Sequence, residues 1–211
     1  MSRIIFILGG ARSGKSAYAQ GLAQSLSERV LYVAPAIPFD EDMQRRIQVH
    51  RSSRPQAWRT LESPRQLAGP LSEALAGEPL VLIDCLTLWV SNVLMEHPSF
   101  PFEGGEDTGP LEKRLSAESG EVVALARERG LTLIAVSNEV GLGVVPPYAS
   151  GNVFRELLGR VNQFWAARAD EVYFMVAGIP LGVKGQGSRV KAWKSKAKMR
   201  GHDPKAGDTY R

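Results

Sequence analysis

The 211-residue chain, 44% hydrophobic and 23% charged, has the composition of one soluble globular core; two domains would be small. Its net charge of +4 is unevenly divided: residues 184–211 hold nine Lys and Arg against two Asp and Glu, whereas residues 1–183 hold seventeen against twenty. The mildly acidic body argues against reading the charge as a nucleic-acid footprint, the single cysteine excludes an internal disulfide, and no apolar stretch approaches the ~18 residues of a membrane span. The expectation is a cytoplasmic protein without a secretory signal, since the opening apolar run is accounted for as a strand.

That run, Ile4–Leu8, shows no alternation, as expected of a strand covered on both faces. Gly9-Gly10-Ala11-Arg12-Ser13-Gly14-Lys15-Ser16 follows and matches G-x-x-x-x-G-K-[ST], a phosphate-binding loop that works only between a strand and a helix. Helical periodicity predicts that helix over Ser13–Leu26. Glycines let successive N–H groups turn toward phosphate oxygens, and the helix N-terminus adds partial positive charge. Lys15 is expected to reach the β- and γ-phosphates and Ser16 to ligate Mg²⁺.

Further along, strands are predicted at Val30–Ala34, Leu80–Asp84, Leu131–Ser137 and Glu171–Val176, with a weaker one at Trp58–Leu61. Helices are predicted at Asp40–His50 with Asp40 as N-cap, Pro64–Leu75 with Pro in the first turn, Leu86–Met95, Leu111–Arg129 and Val153–Arg168. The alternation predicts an α/β fold, a mostly parallel sheet flanked by helices of the phosphate-loop NTPase type. Pro98–Pro110 and Val140–Gly151 resist both templates. From Gly185 the chain is basic and poor in apolar residues. One domain over 1–184 and a mobile, disordered tail over 185–211 are therefore expected.

Several residues carry candidate chemistry. Asp84 ends an apolar strand, where phosphate-loop proteins hold the Mg²⁺ shell; it could equally cap the helix that follows. Arg45, Arg46, Arg51, Arg54 and Arg59 surround His50. Guanidinium forks bind phosphate oxygens, and a neutral imidazole beside them is a nucleophile toward phosphorus. The plainer alternative is a helix-terminal histidine on a solvated arginine face, and residue types alone favour it. Glu62 reads as a contact to a guanine edge or as a solvated strand-end acid. Glu139 could orient a substrate hydroxyl or cap the glycine-rich turn after it. Cys85 reads as a buried thiol, Asn162 and Gln163 as packing or subunit-contact residues, and His97 and His202 as non-ligands.

Five blocks in order carry a resemblance: Gly9 to Ser16; Arg46-Ile-Gln-Val-His50-Arg with Arg54-Pro, Trp58-Arg-Thr and Glu62; Asp84-Cys-Leu-Thr with Asn92; Ser137-Asn-Glu-Val-Gly-Leu-Gly-Val-Val-Pro146; and Gly159-Arg-Val-Asn-Gln163. Across roughly residues 3–184 the chain resembles the bifunctional adenosylcobinamide kinase / adenosylcobinamide-phosphate guanylyltransferase family. The resemblance implies phosphorylation of adenosylcobinamide by ATP or GTP, then transfer of GMP from GTP through a GMP–histidine. It implies His50 as that histidine, with Lys15 as the other catalytic residue. Nucleotide-binding positions implied are Gly9, Gly10, Ala11, Arg12, Ser13, Gly14, Lys15, Ser16, Ala34, Pro35, Ala36, Arg51, Ser52, Ser53, Arg54, Glu62 and Asp84, with Mg²⁺ at Ser16 and Asp84. Val49 stands where family members often carry a first histidine. A homotrimer is also implied. The rival readings are a single-activity phosphate-loop kinase and, from another class, a nucleotide-switched nucleic-acid binder. The latter would use Arg189, Lys191, Trp193, Lys194, Lys196, Lys198 and Arg200 of the tail, and the chemistry makes nucleic acid the less favoured partner.

Overall fold

The computed structural model describes residues 2–38, 40–52 and 54–185; within the helix that holds His50, the side chains of Asp42, Met43, Arg46, Ile47, Val49 and His50 are also outside the description. Strands β1 (Arg3–Gly9), β2 (Val30–Ala34), β3 (Arg59–Glu62), β4 (Leu80–Asp84), β5 (Thr132–Asn138), β6 (Glu171–Val176) and β7 (Ile179–Lys184) form one sheet in the order β3-β2-β4-β5-β1-β6-β7. All pairings are parallel except β6 with β7. Helices α1 (Lys15–Leu26), α2 (Glu41–Ser52), α3 (Ala68–Ala74), α4 (Leu86–Met95), α5 (Gly109–Glu128) and α6 (Ala149–Arg168) connect them.

Strand residues alternate between two apolar layers, as the two-residue period of a strand requires. Ile4, Phe6, Leu31, Val33, Val81, Ile83, Leu133 and Ala135 pack with residues of α3 to α6, among them Leu71, Trp89, Leu115 and Trp165. Ile5, Ile7, Val30, Tyr32, Leu80, Leu82, Ile134 and Val136 pack on the other side with Ala19 and Ala23 of α1 and with Trp58. Burial on both faces explains why these strands read as continuous apolar runs. Among the described residues no helix is long and apolar enough to cross a membrane.

The α/β expectation holds, with local corrections. The first helix starts at Lys15, because Gly10–Gly14 form the loop itself. The third starts at Ala68, not Pro64. The amides of Leu67 and Ala68 donate to Glu118 of α5, while the Ser63 hydroxyl bonds the Gln66 carbonyl and holds the preceding turn. A carboxylate distant in sequence thus sets the start of α3. The last helix starts at Ala149, inside the expected irregular segment, and the expected Trp58–Leu61 strand is observed at Arg59–Glu62. β7 was not expected, since Pro180 and Gly182 weaken its pattern. Both are tolerated because β7 is an edge strand. Apart from Gly185, the expected tail lies outside the described residues.

Candidate active site

The carboxyl ends of β1, β2, β3, β4 and β5 share one edge of the sheet, the edge at which α/β proteins bind ligands. Gly9 lies level with Asn138, Asp84 with Val136, and Ala34 with Glu62. The phosphate loop leaves β1 at this edge. A side chain on Gly9 would lie 2.7 Å from Ser13 Oγ and 2.8 Å from the Met175 carbonyl oxygen. Gly14, the N-cap of α1, has φ 90° and faces the Gly178 Cα, which a Cβ would approach to 3.2 Å. The Gly178 amide donates to the Ser13 carbonyl at 2.9 Å, so the β6–β7 turn supports the loop from outside. The first turn of α1 has no side-chain cap and no acidic residue. An anion is the partner such a terminus favours.

Lys15 is buried, 7% exposed, and its Nζ donates to the Gly10 carbonyl at 2.6 Å. Burial lowers its pKa, opposed by the nearby Cys85 and Asp84. Ser16 Oγ donates to Asp84 Oδ1 at 3.1 Å, and Tyr32 OH donates to Asp84 Oδ2 at 3.0 Å. Both carboxylate oxygens are thereby oriented. Burial, and then the Asp84 charge, push the Tyr32 hydroxyl well above the usual phenol range, so it stays a donor. The Cys85 thiol is pushed up to about 11, chiefly by burial, and is a protonated neighbour rather than a nucleophile.

The arginine segment reaches the same edge. The Arg54 guanidinium lies over the Tyr32 ring, 3.5 Å from its centroid, and the Tyr32 ring stacks on Trp58 at 6.5 Å. Arg54 donates from one terminal nitrogen to Thr60 Oγ1 at 3.3 Å; its Nε is buried and, among the described residues, has no hydrogen-bond partner. Arg51 pairs with Glu62 at 2.8 Å, both well exposed. Ala34, Pro35 and Ala36 leave β2 beside this segment. The Ala34 carbonyl accepts from the Ser63 amide at 3.1 Å, and Asn92 of α4 bonds the Pro35 and Pro64 carbonyls.

The structure therefore brings Gly9–Ser16, Ala34–Ala36, Arg54 and Asp84 together, and joins Arg51 to Glu62. Ala11 and Arg12 form the exposed rim of the loop beside a half-buried Gly10, Arg12 with φ 55°. Ser52 ends α2 and His50 lies in its last turn; the His50 side chain and the whole of Ser53 lie outside the described residues. Glu139 takes the capping role weighed for it, its Oε1 accepting from the Gly141 amide at 2.6 Å while its own amide bonds the Gly9 carbonyl. Gly141 borders an open cavity of about 530 Å³ lined by Asn152, Arg155, Glu156, Arg160 and Gln163. Asn162 anchors α6 to the Asn138 carbonyl at 3.0 Å. Sequence reasoning missed Tyr32 and the β6–β7 turn, and named Trp58 without giving it a role. A Tyr in a run of Val, Leu and Ala was the available signal, because a buried phenol needs a polar partner for its tip.

The family model for cobinamide kinase / cobinamide phosphate guanyltransferase matches residues 5–183. The bifunctional adenosylcobalamin biosynthesis protein of Pseudomonas aeruginosa is 43% identical over 182 residues, covering 85% of this chain and 96% of that protein. The protein of that description from Escherichia coli strain K12 is 36% identical over 181 residues, covering 86% and 99%. Among solved structures, a RadB recombinase aligns with TM-score 0.50 at 13% identity, over 89% of this chain and 83% of that one, a likeness of fold alone. The chain belongs to the cobinamide kinase / cobinamide phosphate guanyltransferase family.

Proposed function

We propose that this protein phosphorylates adenosylcobinamide with ATP or GTP and then converts the product to adenosylcobinamide-GDP with GTP, releasing pyrophosphate. The observation that carries the reading is the junction, at one sheet edge, of a phosphate loop with an arginine-bearing segment through Asp84 and Tyr32. A kinase alone needs the first half; a transferase of the α-phosphoryl group needs a second set of charges.

In the first reaction the substrate hydroxyl attacks the γ-phosphorus and the bond to the β-phosphate oxygen breaks. Lys15 and the loop amides neutralise and position the triphosphate. Ser16 and Asp84 fit Mg²⁺: they offer hard oxygens 3.1 Å apart, one of them a carboxylate, the sparse protein contribution typical of a cation shared with phosphates. When bound, Mg²⁺ supplies charge neutralisation. In the second reaction an imidazole nitrogen of His50 bonds to the α-phosphorus of GTP as pyrophosphate leaves. A phosphate oxygen of adenosylcobinamide phosphate then displaces the imidazole, restoring His50. The covalent route divides one hard displacement into two easier ones. Arg51 and Arg54 would balance charge on the α-phosphate, and Glu62 would meet the guanine N–H donors.

The proposal extends to a cytoplasmic homotrimer in which residues 1–184 carry both activities and 185–211 are dispensable. The test supplies adenosylcobinamide, Mg²⁺ and GTP to the full chain and to a chain ending at Lys184, and separates products by mass. Adenosylcobinamide phosphate followed by adenosylcobinamide-GDP is expected from both. Phosphate without GDP product would leave a single-activity kinase.

A further inference from the structure

Tyr32 belongs to none of the motifs read from the sequence, yet it touches both halves of the site. It is 2% exposed. Its hydroxyl donates to the Asp84 oxygen that Ser16 does not occupy. Its ring lies beneath the Arg54 guanidinium at 3.5 Å and is itself stacked on Trp58.

A guanidinium lying on an aromatic face is held by the ring quadrupole, which leaves the edge of the fork free for other acceptors. Arg54 shows this division. One terminal nitrogen bonds Thr60, whereas the buried Nε has no partner among the described residues. A buried donor without an acceptor is costly, and guanidinium forks match phosphate oxygens in geometry and charge. Arg54 is thus held by the Tyr32 ring and by Thr60, on the β2–β3 side of the site.

We propose that Tyr32 is a positioning residue serving the two chemistries through different atoms. Its hydroxyl orients Asp84 for the cation-dependent step, and its ring holds Arg54 so that the guanidinium fork meets a phosphate oxygen of the nucleotide. This rests on the functional reading above.

Two variants separate the roles. Tyr32→Phe keeps the ring and deletes the hydroxyl; Tyr32→Leu deletes both. The readouts are the Mg²⁺ concentration giving half-maximal phosphoryl transfer and, at saturating Mg²⁺, the GTP concentration giving half-maximal covalent labelling from α-labelled GTP. Tyr32→Phe should raise the Mg²⁺ requirement about tenfold, the effect of one hydrogen bond to a charged acceptor. It should leave the GTP requirement at saturating Mg²⁺ within about twofold. Tyr32→Leu should raise the GTP requirement as well, by about tenfold, the worth of a desolvated cation–π contact. Arg54→Lys, which keeps charge but loses the fork, should match that second effect and stands in should Tyr32→Leu not fold. Equal losses in Phe and Leu variants, or labelling by both Tyr32→Leu and Arg54→Lys at wild-type GTP, would overturn the inference. If wild type itself takes up no label, the functional reading fails and the ring's role fails with it. If wild type labels and the variants do not differ from it, this inference alone fails.

Discussion

At the scale of single residues, the site rests on side chains whose options the fold has narrowed to one. Asp84 has both oxygens engaged, Lys15 is buried and turned along its own loop, and Gly14 occupies a left-handed conformation. Gly14 gives a sharp prediction. Its φ of 90° and the 3.2 Å approach of a Cβ to Gly178 leave Gly14→Ala strained in two ways. The variant should raise the nucleotide KM by about five- to 150-fold, since about 1–3 kcal/mol of strain falls on the loop that receives phosphate. Steady-state kinetics with ATP and GTP check this, and an unchanged KM would show that the loop relaxes freely. The glycines and Lys15 were legible in the sequence because the phosphate loop has few solutions. Tyr32 was not, because its role arises from Asp84 and Arg54, 52 and 22 positions away in the chain.

At the scale of elements, the fold is held where strand starts meet helix ends. Asp170, just before β6, accepts from the Ile4 amide at 2.7 Å and from Arg127 of α5 at 2.8 Å, tying β1, β6 and α5 together. The Arg127 hydrogen bond, assisted by the Ile4 amide and opposed by partial burial, holds the carboxyl below its usual range. A carboxylate with a lowered folded pKa contributes stability above its unfolded value, about pH 4, and loses it as pH falls through the folded value. Asp170→Asn should therefore cost about 0.5–1 kcal/mol at pH 7, a small figure because the group is well exposed. The gap in thermal midpoint between wild type and variant should shrink as pH drops below about 4. A gap that stays constant with pH would remove the charge from the explanation. The start of α3 belongs to this scale too. Periodicity and Pro64 suggested an earlier helix, but Glu118 reaches across from α5 to bond the amides of Leu67 and Ala68. No local pattern announces a cap supplied from some fifty residues away.

For the whole molecule, the alternation of apolar runs with helical segments was enough to expect a mostly parallel sheet, because strands buried on both faces leave an unmistakable apolar signature. The insertion of β5 between β1 and β4 was not legible, since sequence order carries no information on strand order. That insertion brings Asn138 and Glu139 beside Gly9, and makes the 139–148 loop a neighbour of the phosphate loop. The arginine segment was legible as charge; its meeting with Asp84 needed the parallel pairing of β2 with both β3 and β4.

The central claim is that one triphosphate site serves two chemistries, with Lys15 at the phosphate loop and His50 on the arginine-bearing helix. Trapping with α-labelled GTP and Mg²⁺ tests it most directly, comparing wild type with His50→Ala after denaturation in base and in acid. The account predicts label on wild type that survives base and is lost in acid, as a phosphorus–nitrogen bond requires, and none on His50→Ala. The variant should still phosphorylate adenosylcobinamide. Label persisting on His50→Ala, or absent from a wild type that makes adenosylcobinamide-GDP, would contradict the account.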